Sequence, residues 1–149
     1  MAGMSSHRSC FHSTSETGLE KIRETRCIRM GSKQKNHHHF GRGVYFSSKH
    51  PREGQGIIAQ NNWTTNGGRY IKNGKVDIAI EVELPPDKVT EVGKTSGRDI
   101  LLHNGPVKLN QYRWRVWRIP PNKVPEGSLV PFETYEPRGG YFHHNGYVW

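Results

Sequence analysis

The ten residues Lys75-Val-Asp-Ile-Ala-Ile-Glu-Val-Glu-Leu84 alternate along their whole length and stop at Pro85-Pro86. Only a β-strand places every second side chain on one face, so this run commits the chain to a sheet. Val76, Ile78, Ile80, Val82 and Leu84 should face a core. Lys75, Asp77, Ala79, Glu81 and Glu83 fall on the other face, where a solvated edge is the simplest reading of the two glutamates. A second run, Tyr112 to Ile119, carries Tyr112, Trp114 and Val116 on one face and Trp117 and Ile119 on the other. Apolar residues on both sides predict a central strand packed on each face.

Shorter signals fill in the remainder. Residues 9–12 read as a strand ending at His12. Thr17 with Glu20 fits a capping box, predicting a helix over 18–25 with Leu19 and Ile22 as its apolar stripe; Thr14 and Ser15 are alternative caps. Cys27–Met30 and Asp99–His103 read as strands, Val89–Val92 and Val107–Leu109 as brief ones. Pro51 can open a helical turn, and Ile57, Ile58 and Ala59 give the following helix apolar cover, although Gly54 and Gly56 weaken it. Residues 64–68 read as a connector, and 31–39 as a polar loop. Within that loop His37-His38-His39 is a solvated run rather than a metal site, because adjacent residues of an extended segment seldom converge on one ion. After Pro120 periodicity fades. Tyr141–Trp149 suits either a terminal strand over the sheet or an aromatic surface for nucleobases.

The chain has 149 residues, 32% of them hydrophobic, and a mean hydropathy of -0.83. This predicts one domain with a small, loop-rich core: a flexible lead-in over 1–8, the domain over 9–149, and an irregular C-terminal extension from 120. No run approaches a membrane span and the first residues lack a signal-peptide core, so a soluble intracellular protein, cytoplasmic or nuclear, is expected. Two cysteines, Cys10 and Cys27, are too few for a disulfide scaffold and are expected as reduced thiols, Cys10 as a small buried hydrophobe. A formal charge of +9, from 22 Lys+Arg against 13 Asp+Glu, favours anionic partners without choosing among them.

One stretch does not reduce to folding alone. Phe40-Gly41-Arg42-Gly43-Val44-Tyr45-Phe46-Ser47-Ser48 enters a short strand from a glycine bend, with Val44 and Phe46 on one face and Tyr45 on the other. Set beside Cys10-Phe11-His12-Ser13-Thr14 and Asp99-Ile-Leu-Leu-His-Asn104, it completes a series of His, Tyr and acid, each on or beside a strand. In this order the chain resembles the His–Tyr–acid ADP-ribosyltransferases related to diphtheria toxin and the poly(ADP-ribose) polymerases. With Asp as the acid it is most similar to the His–Tyr–Asp (HYD) branch. The resemblance runs from about Phe11 to Ile119.

It implies an α+β domain in which two small, mostly antiparallel sheets and short peripheral helices surround an NAD cleft. NAD is then a substrate, no metal is needed, and His12, Tyr45 and Asp99 form the triad. His12 would bond a ribose hydroxyl and the Ser13 backbone, next to Thr14, would meet the nicotinamide amide. The Tyr45 ring would stack on nicotinamide, and Ser47 or Ser48 would bond its carboxamide. Arg42, beside Gly43, would approach the pyrophosphate, while Trp63 would supply a second aromatic wall and Asn62 a further contact. Asp99 would orient the 2′-hydroxyl and stabilise the oxocarbenium-like ribose, with Glu81 and Glu83 as reserve acids. The family's polymerases carry Glu where this chain has Asp99. The shorter side chain favours transfer of one unit, by a monomer, to an acceptor that is protein, nucleic acid or small molecule. Alternatives are an NAD glycohydrolase, an inactive NAD- or ADP-ribose-binding module, and a basic nucleic-acid-binding domain.

Overall fold

The computed structural model describes residues 6–30, 40–63, 67–139 and 141–143. In chain order these form β1 (Arg8–Thr14), α1 (Glu16–Thr25), β2 (Cys27–Ile28), β3 (Val44–Phe46), α2 (Gln55–Asn62) and α3 (Gly67–Lys72). There follow β4 (Ile78–Leu84), β5 (Val89–Glu91), β6 (Leu101–His103), β7 (Val107–Lys108), β8 (Trp114–Arg118), β9 (Glu133–Tyr135) and β10 (Tyr141–His143). Every strand pair is antiparallel. They make a five-stranded sheet in the order β1-β4-β8-β9-β10, a three-stranded sheet β3-β6-β5 and a two-stranded ribbon β2-β7. The fold is therefore mixed α+β with antiparallel sheets. No described helix is long and apolar enough to cross a membrane.

The alternation of 78–84 is realised as read. Ile78, Ile80, Val82 and Leu84 join one core with Leu19 and Ile22 of α1, Val44 and Phe46 of β3, and Trp114 and Val116 of β8. Ala79 on the opposite face joins a second core with Phe11, Ile58, Ala59, Trp117 and Ile119. The sheet is thus covered on both faces, α1 and the small sheets on one side and α2 on the other. Each fully buried Val, Ile or Leu contributes about 1.5–3 kcal/mol in removing apolar surface from water. β8 sits third of five and packs on both faces, as its aromatic pattern predicts.

Both-sided burial overturns the solvated reading of Glu81. Its side chain is buried and accepts from Trp117 Nε1 at 2.8 Å, Ser9 Oγ at 2.5 Å and Arg115 at 3.2 Å. Glu83, half-buried, shares the same Arg115 at 2.7 Å. Both reserve acids are committed to holding β1, β4 and β8 together.

Several boundaries move for identifiable reasons. β1 runs from Arg8 to Thr14, paired residue by residue with β4, so Arg8 belongs to the strand and not to a lead-in. Helix α1 starts at Glu16, capped by Ser15 Oγ accepting from Gly18 N at 3.1 Å, rather than by the Thr17–Glu20 box. Gly18 permits the early start: a Cβ there would lie 2.0 Å from Thr14 Oγ1. Residues 67–72 form α3 in place of part of the connector; it buries none of its side chains, so it shows no apolar stripe. The chain leaves α3 through Gly74 at φ 77, which delays β4 to Ile78. Nor is the segment after Pro120 wholly irregular. β9 lies against β8, Tyr135 stacks on Trp114 at 4.0 Å, and Glu133 is buried against Arg23. Its single polar-rich triplet carries no periodicity to read. β10 extends the sheet edge beyond β9, while His37–His39 and His144–Trp149 lie outside the described residues.

Candidate functional site

β1, β3 and β6, carrying His12, carrying Tyr45 and following Asp99, are successive neighbours. β3 pairs with β6 through Val44–His103, Tyr45–Leu102 and Phe46–Leu101. Against β1, however, it makes one pair only: Phe11 N donates to Ser47 O at 2.8 Å and Ser47 N to Phe11 O at 2.9 Å. Beyond that pair the two strands part, and His12 sits where they do.

The His12 ring lies edge-on to Phe46, centroids 5.8 Å apart, with Nδ1 2.9 Å from the Tyr45 carbonyl. A carbonyl only accepts, so Nδ1 carries the hydrogen and Nε2 of the neutral ring keeps its lone pair. Burial pushes the His12 pKa below its ordinary 6.5, with the Tyr45 carbonyl opposing it, so the neutral form is favoured. The ring is partly buried there, on the Phe46 face of β3.

Tyr45 faces the other way from Phe46. Its hydroxyl accepts from Phe40 N at 2.9 Å and donates to Gly41 O at 2.6 Å, so it closes the preceding bend on itself. Burial raises the Tyr45 pKa, and the phenol stays neutral. The ring is half-exposed, while Arg42 beside it is exposed. Gly43 has a structural reason of its own: a Cβ there would lie 2.2 Å from the His103 carbonyl across the β3–β6 seam.

Asp99 is joined to the same strand run. Ser48 N donates to its Oδ1 at 3.1 Å and Ser48 Oγ to its Oδ2 at 2.5 Å. It pairs with this loop donor and not with Arg98. A carboxylate offers about four lone-pair directions, so two bonds leave room for a ligand hydroxyl. Ser48 is exposed, whereas Ser47 is buried with its hydroxyl accepting from Lys49 N at 3.2 Å. Of the two serines, Ser48 is the one open to a ligand. Cys10, fully buried next to this cluster, is held as a neutral thiol with its pKa pushed up to about 11 by burial.

Among the described residues the side chains of His12, Tyr45 and Asp99 make no hydrogen bond to one another. They are connected through the Tyr45 carbonyl and Ser48. The C-terminal end of α2 closes the site. Asn62 Nδ2 donates to Ser13 Oγ at 3.2 Å, and Trp63 stacks on Tyr70 of α3 at 4.1 Å, interplanar angle 10°. One face of Trp63 is thus already taken by an aromatic ring. The Thr14 side chain is packed on Gly18 and serves the β1–α1 corner.

Two further residues, Asn61 and Arg98, hold the segment that carries Asp99. Asn61, buried, grips the Asp99 backbone at both ends: Nδ2 donates to Asp99 O at 2.8 Å, and Asp99 N donates to Oδ1 at 2.9 Å. Arg98 Nε donates to Asn61 O at 2.9 Å and its Nη2 to Asn62 O, while the guanidinium lies 5.1 Å over the Phe40 ring. The only available signal was a buried-phase Asn at the end of an apolar helix, which amounts to little without a partner in view.

No family model, curated protein or solved structure matches the chain. The groups of the site are a neutral imidazole on the Phe46 face of β3, a half-exposed phenol ring on the opposite face, and a carboxylate held by Ser48.

Proposed function

We propose that the protein is an NAD-dependent ADP-ribosyltransferase that transfers a single ADP-ribose unit and releases nicotinamide. The observation that carries this reading is the adjacency of β1, β3 and β6, with the β1–β3 ladder limited to the Phe11–Ser47 pair. On this reading a dinucleotide lies beside that pair, along Ser13, Tyr45 and Ser48, and reaches past the strand edge to His12, whose ring is on the Phe46 face. His12 Nε2 accepts from a ribose hydroxyl. The Tyr45 ring offers a flat face to nicotinamide. Asp99 holds the 2′-hydroxyl and sets a negative charge against the cation that develops as the glycosidic bond breaks.

In β8 and just before it, Arg115 is bonded to Glu81 and Glu83, Arg113 to Glu136 and Arg118 to Glu16, so these arginines have partners within the protein. NAD hydrolysis differs from transfer only in the acceptor and uses the same groups.

Incubation with NAD labelled on the adenylate and nicotinamide halves tests the proposal. Release of nicotinamide, with adenylate label on an acceptor or as free ADP-ribose, is expected. Saturable NAD binding with no bond cleavage would reduce the protein to a binding module, and no binding would end the reading.

A further inference from the structure

We infer that Arg98 and Asn61 form a clamp that positions Asp99 for catalysis; the inference rests on the transferase reading above. The last turn of a helix leaves its carbonyls without intrahelical donors. At the end of α2 the Arg98 fork supplies donors to two of them, Asn61 O at 2.9 Å and Asn62 O, and the same guanidinium covers the Phe40 ring. The next residue along is Asp99. Its N–H and C=O are both taken by the side chain of Asn61, at 2.9 and 2.8 Å. Four bonds therefore fix residues 98 and 99 to one helix end. That helix end also carries Asn62, bonded to Ser13 of β1.

Such an arrangement matters because Asp99 lies ahead of β6 and not within its ladder, so sheet pairing does not set its direction. The clamp does so in its place. Arg98 further ties this segment to the Phe40–Tyr45 bend, whose backbone and hydroxyl bonds hold the phenol. A planar five-donor fork is needed for this; an ammonium cannot reach two carbonyls and lie flat on a ring at once. Neither residue touches the reacting atoms, so both are positioning residues.

The test is steady-state nicotinamide release by the full chain carrying Asn61→Ala, Arg98→Ala or Arg98→Lys, alongside Asp99→Ala and the Asn61→Ala/Asp99→Ala double variant. Melting temperature is followed for each. Misplacing a catalytic group by about 1 Å costs roughly 100-fold in rate. Asn61→Ala is expected to lower kcat by about 10- to 100-fold with KM within about threefold. In the Asp99→Ala background it should lower the residual rate no further. Arg98→Ala should lower kcat and raise KM together, since it also frees the Tyr45 bend, and Arg98→Lys should not restore either. A folded Asn61→Ala chain with unchanged kcat, or losses that multiply in the double variant, overturns the clamp while Asp99→Ala still upholds the reading beneath it. Should Asn61→Ala not fold, Arg98→Ala and Arg98→Lys decide, and wild-type kinetics in either overturns the clamp. Full activity of Asp99→Ala, or no turnover by the wild type, overturns both.

Discussion

Strand β1 has two neighbours and treats them in opposite ways. Toward β4 it is paired from Arg8–Leu84 to Thr14–Ile78, and the contact is sealed by Glu81, which is bonded to Ser9, Arg115 and Trp117. Toward β3 its ladder is the single Phe11–Ser47 pair, and past it side chains replace backbone partners: the His12 ring meets the Tyr45 carbonyl and Asp99 meets Ser48. A continuous ladder consumes backbone donors and acceptors; an interrupted one leaves polar groups that a ligand can use. One side of the same strand is closed by a full ladder, and the other is the side on which the proposed chemistry is placed.

The largest effect that would sharpen this contrast comes from the sealed side. Glu81→Ala leaves the Trp117 indole N–H without its buried acceptor and Arg115 with Glu83 alone. It should cost about 2–4 kcal/mol of stability, read by chemical denaturation. Removal of a buried charge partner that left the denaturation midpoint unmoved would mean that this side is not the structural one. Next, Asp99→Ala should reduce nicotinamide release by about 10²- to 10³-fold while NAD affinity by calorimetry changes little, because its charge acts on the transition state. If Asp99→Ala keeps full activity, the open side does not carry the chemistry as assigned. Tyr45→Ala should weaken NAD binding itself by about tenfold, in line with roughly 1–1.5 kcal/mol for a lost aromatic stacking partner.

The smallest effect concerns pH. The folded-state pKa of His12 lies below its ordinary 6.5, and that of His50 does too, in both cases chiefly through burial. The unfolded chain therefore binds more protons below pH 6.5. The stability these rings contribute is complete above that value and is lost as pH falls toward their depressed folded values. A melting temperature that declines from pH 7 to pH 5, less steeply in His12→Asn, is expected. An identical slope in wild type and variant would show that His12 is not held neutral by the fold.

How much of this could be read from the chain depends on whether the information was local. The period-two run at 78–84 and the two-faced aromatic strand at 114–118 announce themselves, since each residue's face follows from its neighbours in sequence. His12, Tyr45 and Asp99 come from the resemblance; β1 and β3 carry the first two and Asp99 precedes β6, but nothing along the chain tells that Asp99 is held by Ser48, 51 residues earlier. Glu81 was misread for the converse reason: an alternating pattern does not say whether the polar face will meet water or a second layer, and here α2 and Trp117 supply the layer. The contacts of Asn61 and Arg98 are not legible along the chain because they are made with backbone atoms of distant residues, and a backbone partner leaves no trace in residue type. β9 escaped notice because three residues are too few to show any period.

The residue-by-residue match of β1 to β4 has an effect on inheritance as well as on folding. Sliding β1 by a single position would send His12 into the layer with Trp117 and swing Phe11 out toward Phe46, exchanging an imidazole for a benzene ring at the mouth of the site. Errors there come in whole steps, never by degrees. An exposed turn such as 125–128 can thus change gradually, while the strand bearing the imidazole must keep its register or lose it altogether.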